Sequence, residues 1–164
     1  MGIKQKFTKI KLIVYDFDGV MTDNTVIVDQ NGVEAVRVSR ADSYAIGLFK
    51  ERGIPQLILS TEPNKIVSVR AKKLGIPVIQ DCRYKEQALV KYCKRKKIGL
   101  KNVLYVGNDM NDMKAMMRVG IKVCPFDAHP AIKRISDIVT KTKGGNGVIR
   151  ELADIFGAAE SVEK

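Results

Sequence analysis

The strongest constraint on this chain is its rhythm. Short runs of β-branched and aliphatic residues alternate with stretches whose apolar side chains recur every three or four positions. Residues 11–15 (KLIVY) read as a buried strand ending at Asp16. Residues 42–52 read as a helix with Tyr44, Ala45, Leu48 and Phe49 on one face, stopped by Gly53. A strand over 55–60, a helix over 64–74 ended by Gly75, a short strand at 78–79 and a helix over 85–97 follow. Next come a strand over 103–107, a helix over 111–119 carrying Met113, Met116 and Met117 as core packing, and short strands at 121–123 and 138–139. A helix over 148–156 closes the series, and the last few residues are expected to fray.

Alternation of this kind implies a parallel sheet covered by helices on both faces. The expected fold is therefore a Rossmann-like, doubly wound α/β domain over residues 1–164, without linker or repeat; 164 residues suffice for one such core. Ligands in these sheets sit at the carboxyl ends of the strands. Asp16, Ser60 and Asn108 all fall at predicted strand ends. One segment breaks the rhythm: 25–29 and 34–38 are extended runs joined by Gln30-Asn31-Gly32, a hairpin signal because tight turns need positive φ. An isolated hairpin is marginal in water. This flap, about 23–39, is expected to pack on something, either over a site or against another subunit.

Charge and composition narrow the partners. Lys and Arg total 29 against 18 Asp and Glu, a net +11 that steers anions towards the surface. The basic clusters lack the interleaved aromatics of a single-strand stacking platform, which disfavours nucleic acid. No apolar run approaches the ~18 residues of a membrane span. The basic start meets too short an apolar stretch for a signal peptide, so a cytoplasmic location is expected. Cys82, Cys93 and Cys124 match no zinc spacing, and their odd number argues against a disulfide framework.

The chemistry gathers at the strand ends. In Asp16-Phe17-Asp18-Gly19, residues two apart on an extended segment face the same way, so both carboxylates can meet one space. Close carboxylates repel unless a cation or proton lies between them, and a hard ion such as Mg²⁺ suits these oxygens. The alternative is a pair of turn-capping aspartates. Ser60-Thr61-Glu62 offers hydroxyls and backbone N–H groups for a phosphate oxygen, although serine is common at strand ends. Lys85 opens a helix, where the dipole mildly disfavours a cation; it can offset phosphate and carboxylate charge, or be a surface lysine. Gly107-Asn108-Asp109-Met110-Asn111-Asp112 supplies further oxygens and a helix N-terminus.

Taken in order, Asp16-x-Asp18-Gly19, Ser60, Lys85 and Gly107-Asn108-x-x-x-Asp112 resemble the four motifs of the haloacid-dehalogenase superfamily. From about residue 10 to 151 the chain is similar to its small capless branch. That branch holds 3-deoxy-D-manno-octulosonate 8-phosphate phosphatases and phosphatases of nonulosonate (sialic acid and KDN) 9-phosphates, and its domain also occurs fused behind CMP-sialic acid synthetases. Asp16 through Asp23, the Asn31-Gly32 hairpin, Arg40-Ala41-Asp42 and Gly144-Gly145-Asn146-Gly147 with Arg150-Glu151 extend the match.

The resemblance implies that Asp16 is the nucleophile and Asp18 the general acid and base. It implies that Ser60, Thr61 and Lys85 bind the phosphoryl group and that Asp112 orients Lys85. Mg²⁺ would be held by Asp16, the Asp18 carbonyl and Asn108. Two departures stand out: Asn108 replaces the usual Asp, with Asp109 available to compensate, and Ser60 replaces the commoner Thr. Glu62 and Lys73 tilt the expected substrate towards a nonulosonate 9-phosphate over octulosonate 8-phosphate. The branch is typically tetrameric, each hairpin covering a neighbour's site, with the Gly144–Gly147 stretch and Arg150 near the substrate carboxylate. His129, before Pro130, reads as structural. A non-catalytic module for a cytidylyltransferase and a nucleic-acid-end phosphatase are the competing readings.

Overall fold

Four consecutive apolar residues cannot share one side of a strand, so the 12–15 run demands cover on both. In the computed structural model, which describes residues 2–157, β1 (Leu12–Tyr15) is fully buried at the centre of a sheet. It pairs in parallel with β4 (Gln56–Leu59) and β6 (Val103–Val106). β4 continues to β5 (Val78–Ile79), while β6 continues to β7 (Ile121–Cys124) and then β8 (Ile138–Val139). The order β5-β4-β1-β6-β7-β8, parallel throughout, is the doubly wound arrangement expected. The fraying expected of the last residues lies outside those described.

Alternate strand residues separate two cores. Ile13, Tyr15, Ile58, Leu104 and Val106 face α1 (Ile3–Phe7), α2 (Arg40–Glu51), α3 (Ile66–Leu74) and α7 (Val148–Ile155). Leu12, Val14, Leu57, Leu59, Val103 and Tyr105 face α4 (Lys85–Lys96), α5 (Met113–Met116) and α6 (Pro130–Ile135). The five-residue α1 has no counterpart among the expected elements, because it is too short to display a helical period.

Two elements are shorter than expected. The helix over 111–119 is reduced to α5, and Met117 is 59% exposed instead of joining the core. Residues 109–112 form a turn instead, closed by the Asp112 N–H donating to the Asp109 carbonyl at 2.9 Å. The hairpin keeps only β2 (Ile27–Val28) and β3 (Glu34–Ala35), paired Ile27 with Ala35 and Val28 with Glu34. Its turn places Gly32 alone in the left-handed region, at φ 75°. The Asp29 carboxylate accepts the Asn31 and Val33 N–H groups, so a side chain does part of what a longer ladder would do. Val26, Ile27, Val28 and Val33 are all exposed.

Long-range polar contacts fix the last helix. Asp42 Oδ1 accepts the Ile149 and Arg150 N–H groups at 2.9 and 3.0 Å, capping the first turn of α7 from α2. Just before α7, Gly144 and Gly145 press onto the loop after β1, with the Gly145 N–H donating to the Val20 carbonyl. A Cβ on Gly144 would lie 2.3 Å from the Gly19 carbonyl, so only glycine permits this approach. We expect Asp42→Ala to lower unfolding stability by about 1–3 kcal/mol in urea, leaving buried N–H groups unpaired. Asp154→Ala, on the exposed side of α7, should stay within about 0.5 kcal/mol.

Candidate active site

The site assembles where the central strands end. Asp16 extends β1 by one step, its N–H donating to the Val106 carbonyl at 2.9 Å. Ser60 does the same after β4, donating to the Ile79 carbonyl, and Gly107-Asn108 leaves β6 beside them. The carboxyl edge of the sheet thus collects residues from three loops distant in sequence.

Lys85, the first residue of α4, is fully buried beneath this edge. Its ammonium lies 2.7 Å from Asp16 Oδ1 and 2.8 Å from Asp112 Oδ1. Tyr105 donates its hydroxyl to the same Asp112 oxygen at 2.8 Å, while Asp112 Oδ2 accepts the Asn108 N–H at 3.0 Å. Asp112 therefore holds both the lysine and the turn after β6. Asp16 Oδ1 also accepts the Phe17 N–H at 2.7 Å. Burial pushes the Asp16 carboxyl well above its ordinary pKa, Asp112 adds to this, and Lys85 opposes it. Burial pulls the Lys85 ammonium down, but Asp16 and Asp112 outweigh it and leave its pKa raised. Two carboxylates against one ammonium leave an excess negative charge, which favours a further cation at the free Asp16 oxygen.

Asn108 tests that inference. One terminal atom of its amide lies 3.1 Å from Asp16 Oδ2 and 3.0 Å from the Asp18 carbonyl. Turned with nitrogen there, the amide donates to both oxygens. Turned with oxygen there, three oxygens meet with no proton between them. An octahedral Mg²⁺ with ligands at about 2.1 Å sets adjacent ligand oxygens roughly 3.0 Å apart, so this donor set fits the ion. It comprises one carboxylate, one amide and one carbonyl; among the described residues, no three His, Cys, Asp or Glu side chains form a metal cluster. Gly19, at φ 81°, makes the approach possible: a Cβ there would fall 1.9 Å from the Asn108 amide nitrogen.

In front of these groups lies a cavity of about 320 Å³ lined by Asp16, Asp18, Asn24, Thr61, Asn108 and Asp109, with Asn111 at its edge. Asp18 and Asn24 also line a neighbouring space of about 170 Å³, bounded by Val26 and Glu34 of the hairpin and by Glu62. Burial, reinforced by the Glu62 charge, raises the Asp18 carboxyl above its ordinary value. Ser60 Oγ accepts the Glu62 N–H at 3.0 Å, which leaves its proton free to donate. His129 is structural, as expected: its Nδ1 caps α6 through the Ala131 N–H, and its own N–H donates to the Asn108 carbonyl at 2.8 Å.

Asp16, Asp18, Thr61, Asn108 and Asp109 therefore share one cavity, Ser60, Lys85 and Asp112 lie buried at the same strand ends, and Glu62 borders the adjoining space. Two expected substrate contacts are not brought together with them. Lys73 is exposed in the last turn of α3, and helices antiparallel to the strands put that turn at the opposite edge of the sheet. Arg150 pairs through Nε with Asp154 and stacks over Tyr44 at 5.3 Å. Three participants escaped sequence reasoning. Tyr105 was hidden in a strand, where only the rule that a buried phenol needs a partner points to it. Asn24 sits at φ 64° between the two cavities. Asp127 Oδ1 holds the Gly144 N–H at 2.9 Å.

A profile described as haloacid dehalogenase-like hydrolase matches residues 50–152. The chain is 32% identical over 159 residues to the 3-deoxy-D-manno-octulosonate 8-phosphate phosphatase KdsC of Escherichia coli (strain B / BL21-DE3), spanning 96% of this chain and 85% of that protein. It is similar to the solved 3-deoxy-D-manno-octulosonate 8-phosphate phosphatase from Yersinia pestis, with a TM-score of 0.92 and 30% identity over 98% of this chain and 88% of that one. The Moraxella catarrhalis phosphatase of the same name, solved with magnesium ion, phosphate ion and KDO, matches with a TM-score of 0.92 and 30% identity over 99% of this chain and 98% of that one.

Removing the buried ammonium isolates the charges it holds. Lys85→Met is expected to destabilise the fold by about 3–5 kcal/mol. Urea unfolding measures this, and a loss below about 1 kcal/mol would contradict a buried charge triad.

Proposed function

The chain belongs to the haloacid dehalogenase-like hydrolases, and from that membership we propose that it hydrolyses the phosphate monoester of a keto-sugar acid through an aspartyl-phosphate. The observation that carries this reading is the Asp16–Lys85–Asp112 arrangement behind a small polar cavity. Lys85 and the Phe17 N–H fix the Asp16 carboxylate in place, and that carboxylate attacks phosphorus as the ester oxygen departs. Asp18, whose carboxyl burial and the Glu62 charge push above its ordinary pKa, stands on the same cavity as the acid for that departing oxygen. Deprotonated in the same step, it then takes a proton from the water that cleaves the aspartyl-phosphate. The Ser60 hydroxyl, the Thr61 turn and Lys85 are suited to the equatorial phosphoryl oxygens, where phosphoryl transfer needs charge neutralisation most. Mg²⁺, held by Asp16, the Asp18 carbonyl and Asn108, would supply Lewis-acid stabilisation of phosphoryl charge.

Two observations bear on the sugar. Glu62 and Glu34 border the space beyond Asp18, a lining suited to hydroxyl donors and hostile to a carboxylate. The tilt that Glu62 carries by resemblance favours a nonulosonate 9-phosphate. The names of the relatives favour octulosonate 8-phosphate instead. A non-catalytic role beside a cytidylyltransferase would leave the Asp16, Asp18 and Lys85 geometry without purpose. The three free cysteines suit a reducing cytoplasm, and no helix among the described residues is long and apolar enough to cross a membrane.

The decisive assay measures phosphate release from both sugar phosphates with Mg²⁺ and with EDTA. EDTA should abolish turnover and added Mg²⁺ restore it. Asp16→Asn should fall to the blank rate while staying folded; wild-type activity in that variant would sink the mechanism. A homotetramer in which each exposed hairpin strand reaches a neighbour's site accounts for the uncovered Val26, Ile27, Val28 and Val33. Sedimentation velocity should find that tetramer, and Val28→Lys should shift it to smaller species. A wild-type monomer at every concentration tested would reject it.

A further inference from the structure

At the edge of the sheet opposite the catalytic cavity lies a larger groove of about 830 Å³. Its lysines come from three separate segments: Lys4 from α1, Lys11 just before β1, and Lys96 and Lys97 from the end of α4. Among the described residues, no carboxylate lines it. Among the described residues, none of these four lysines forms an ion pair. Arg52, also on the wall, donates to the Phe156 and Gly157 carbonyls and serves to build it. The floor is apolar, formed by Ile54, Pro55 and Ile98, with the Phe7 and Phe156 rings stacked 3.8 Å apart behind it.

Lysines at the end of a helix complement its dipole, which accounts for Lys96. It accounts also for Lys4 in the last turn of the short α1, but not for Lys11, which converges on the same space from elsewhere. Unpaired like charges around one concavity repel each other at a cost to the free protein and focus potential into it. The volume lies within the ~300–1,000 Å³ of small-molecule sites. Nucleic-acid surfaces instead present their charge as an extended patch or stripe, whereas here the charge rims one open concavity with a hydrophobic floor.

We infer that this groove binds a nucleoside polyphosphate, the lysines taking the phosphate chain and the apolar floor the base. The site is separate from catalysis. Lys11 and Asp16 flank β1 and stand roughly 16 Å apart at about 3.3 Å per strand residue.

Isothermal titration calorimetry of the full chain with ATP in EDTA tests this. Without a divalent ion the catalytic cavity, lined by Asp16, Asp18 and Asp109, repels phosphate. ATP should bind once per chain, inorganic tripolyphosphate about tenfold more weakly, and adenosine without detectable heat. A Lys4→Glu, Lys11→Glu, Lys96→Glu variant should lose at least about thirtyfold in ATP affinity, while Mg²⁺-dependent turnover of p-nitrophenyl phosphate is unchanged. Should the triple variant misfold, Lys96→Ala alone should weaken ATP severalfold. Absence of ATP binding, equal affinity in the variants, equal binding of tripolyphosphate and ATP, or tighter binding of a single-stranded RNA at the same salt would each overturn the inference.

Discussion

One ammonium organises the functional half of this molecule. Lys85 is buried against Asp16 and Asp112, at 2.7 and 2.8 Å, in a place where an isolated charge would cost several kcal/mol. Each member makes the others tolerable. Asp112 spends its remaining valences on Tyr105 and on the N–H groups that shape the turn after β6, so the lysine, the strand and the turn are one polar network. The same network is left with one carboxylate too many. That imbalance is the physical reason for a cation, and it appears where Asp16 Oδ2, the Asp18 carbonyl and the Asn108 amide converge.

The scaffold around that network is rigid for reasons of packing. β1 and β6 are apolar on both faces, so they can exist only between two helical layers. Chain reversals at the carboxyl edge are then obliged to come together, and they do so through backbone contacts that glycine alone allows. Gly19 admits Asn108, and Gly144 and Gly145 lie directly on the loop after β1, where Asp127 and Val20 hold them. The site loops are thus tied to α7, and α7 in turn to Asp42 of α2.

Charge is divided across the sheet. The carboxyl edge is acidic and polar, with Asp16, Asp18, Glu62 and Asp109 on its cavities; the amino edge carries Lys4, Lys11, Lys96 and Lys97 around an apolar floor. A net +11 does not by itself reveal this polarity. It follows from the directions of the parallel strands, which send residues a few positions apart in sequence, such as Lys11 and Asp16, to opposite ends of the domain.

The order of strands and helices was legible in the sequence because burial on both faces leaves unbroken apolar runs, and helical cover leaves a three-to-four period. So was the set of side chains that meets at the carboxyl edge, since Asp16, Ser60 and Asn108 each follow such a run and Lys85 opens a helix. Local pattern misjudged the helix over 111–119 and the hairpin arms. The expected helix begins at Asn111, yet Asp112 draws the preceding N–H groups inward and α5 begins only at Met113. The roles of Tyr105, Asn24 and Asp127, and the absence of Lys73 and Arg150 from the walls of the two cavities, depended on which chain segments become neighbours. That is settled by strand order and loop packing over scores of residues, and no local spacing records it.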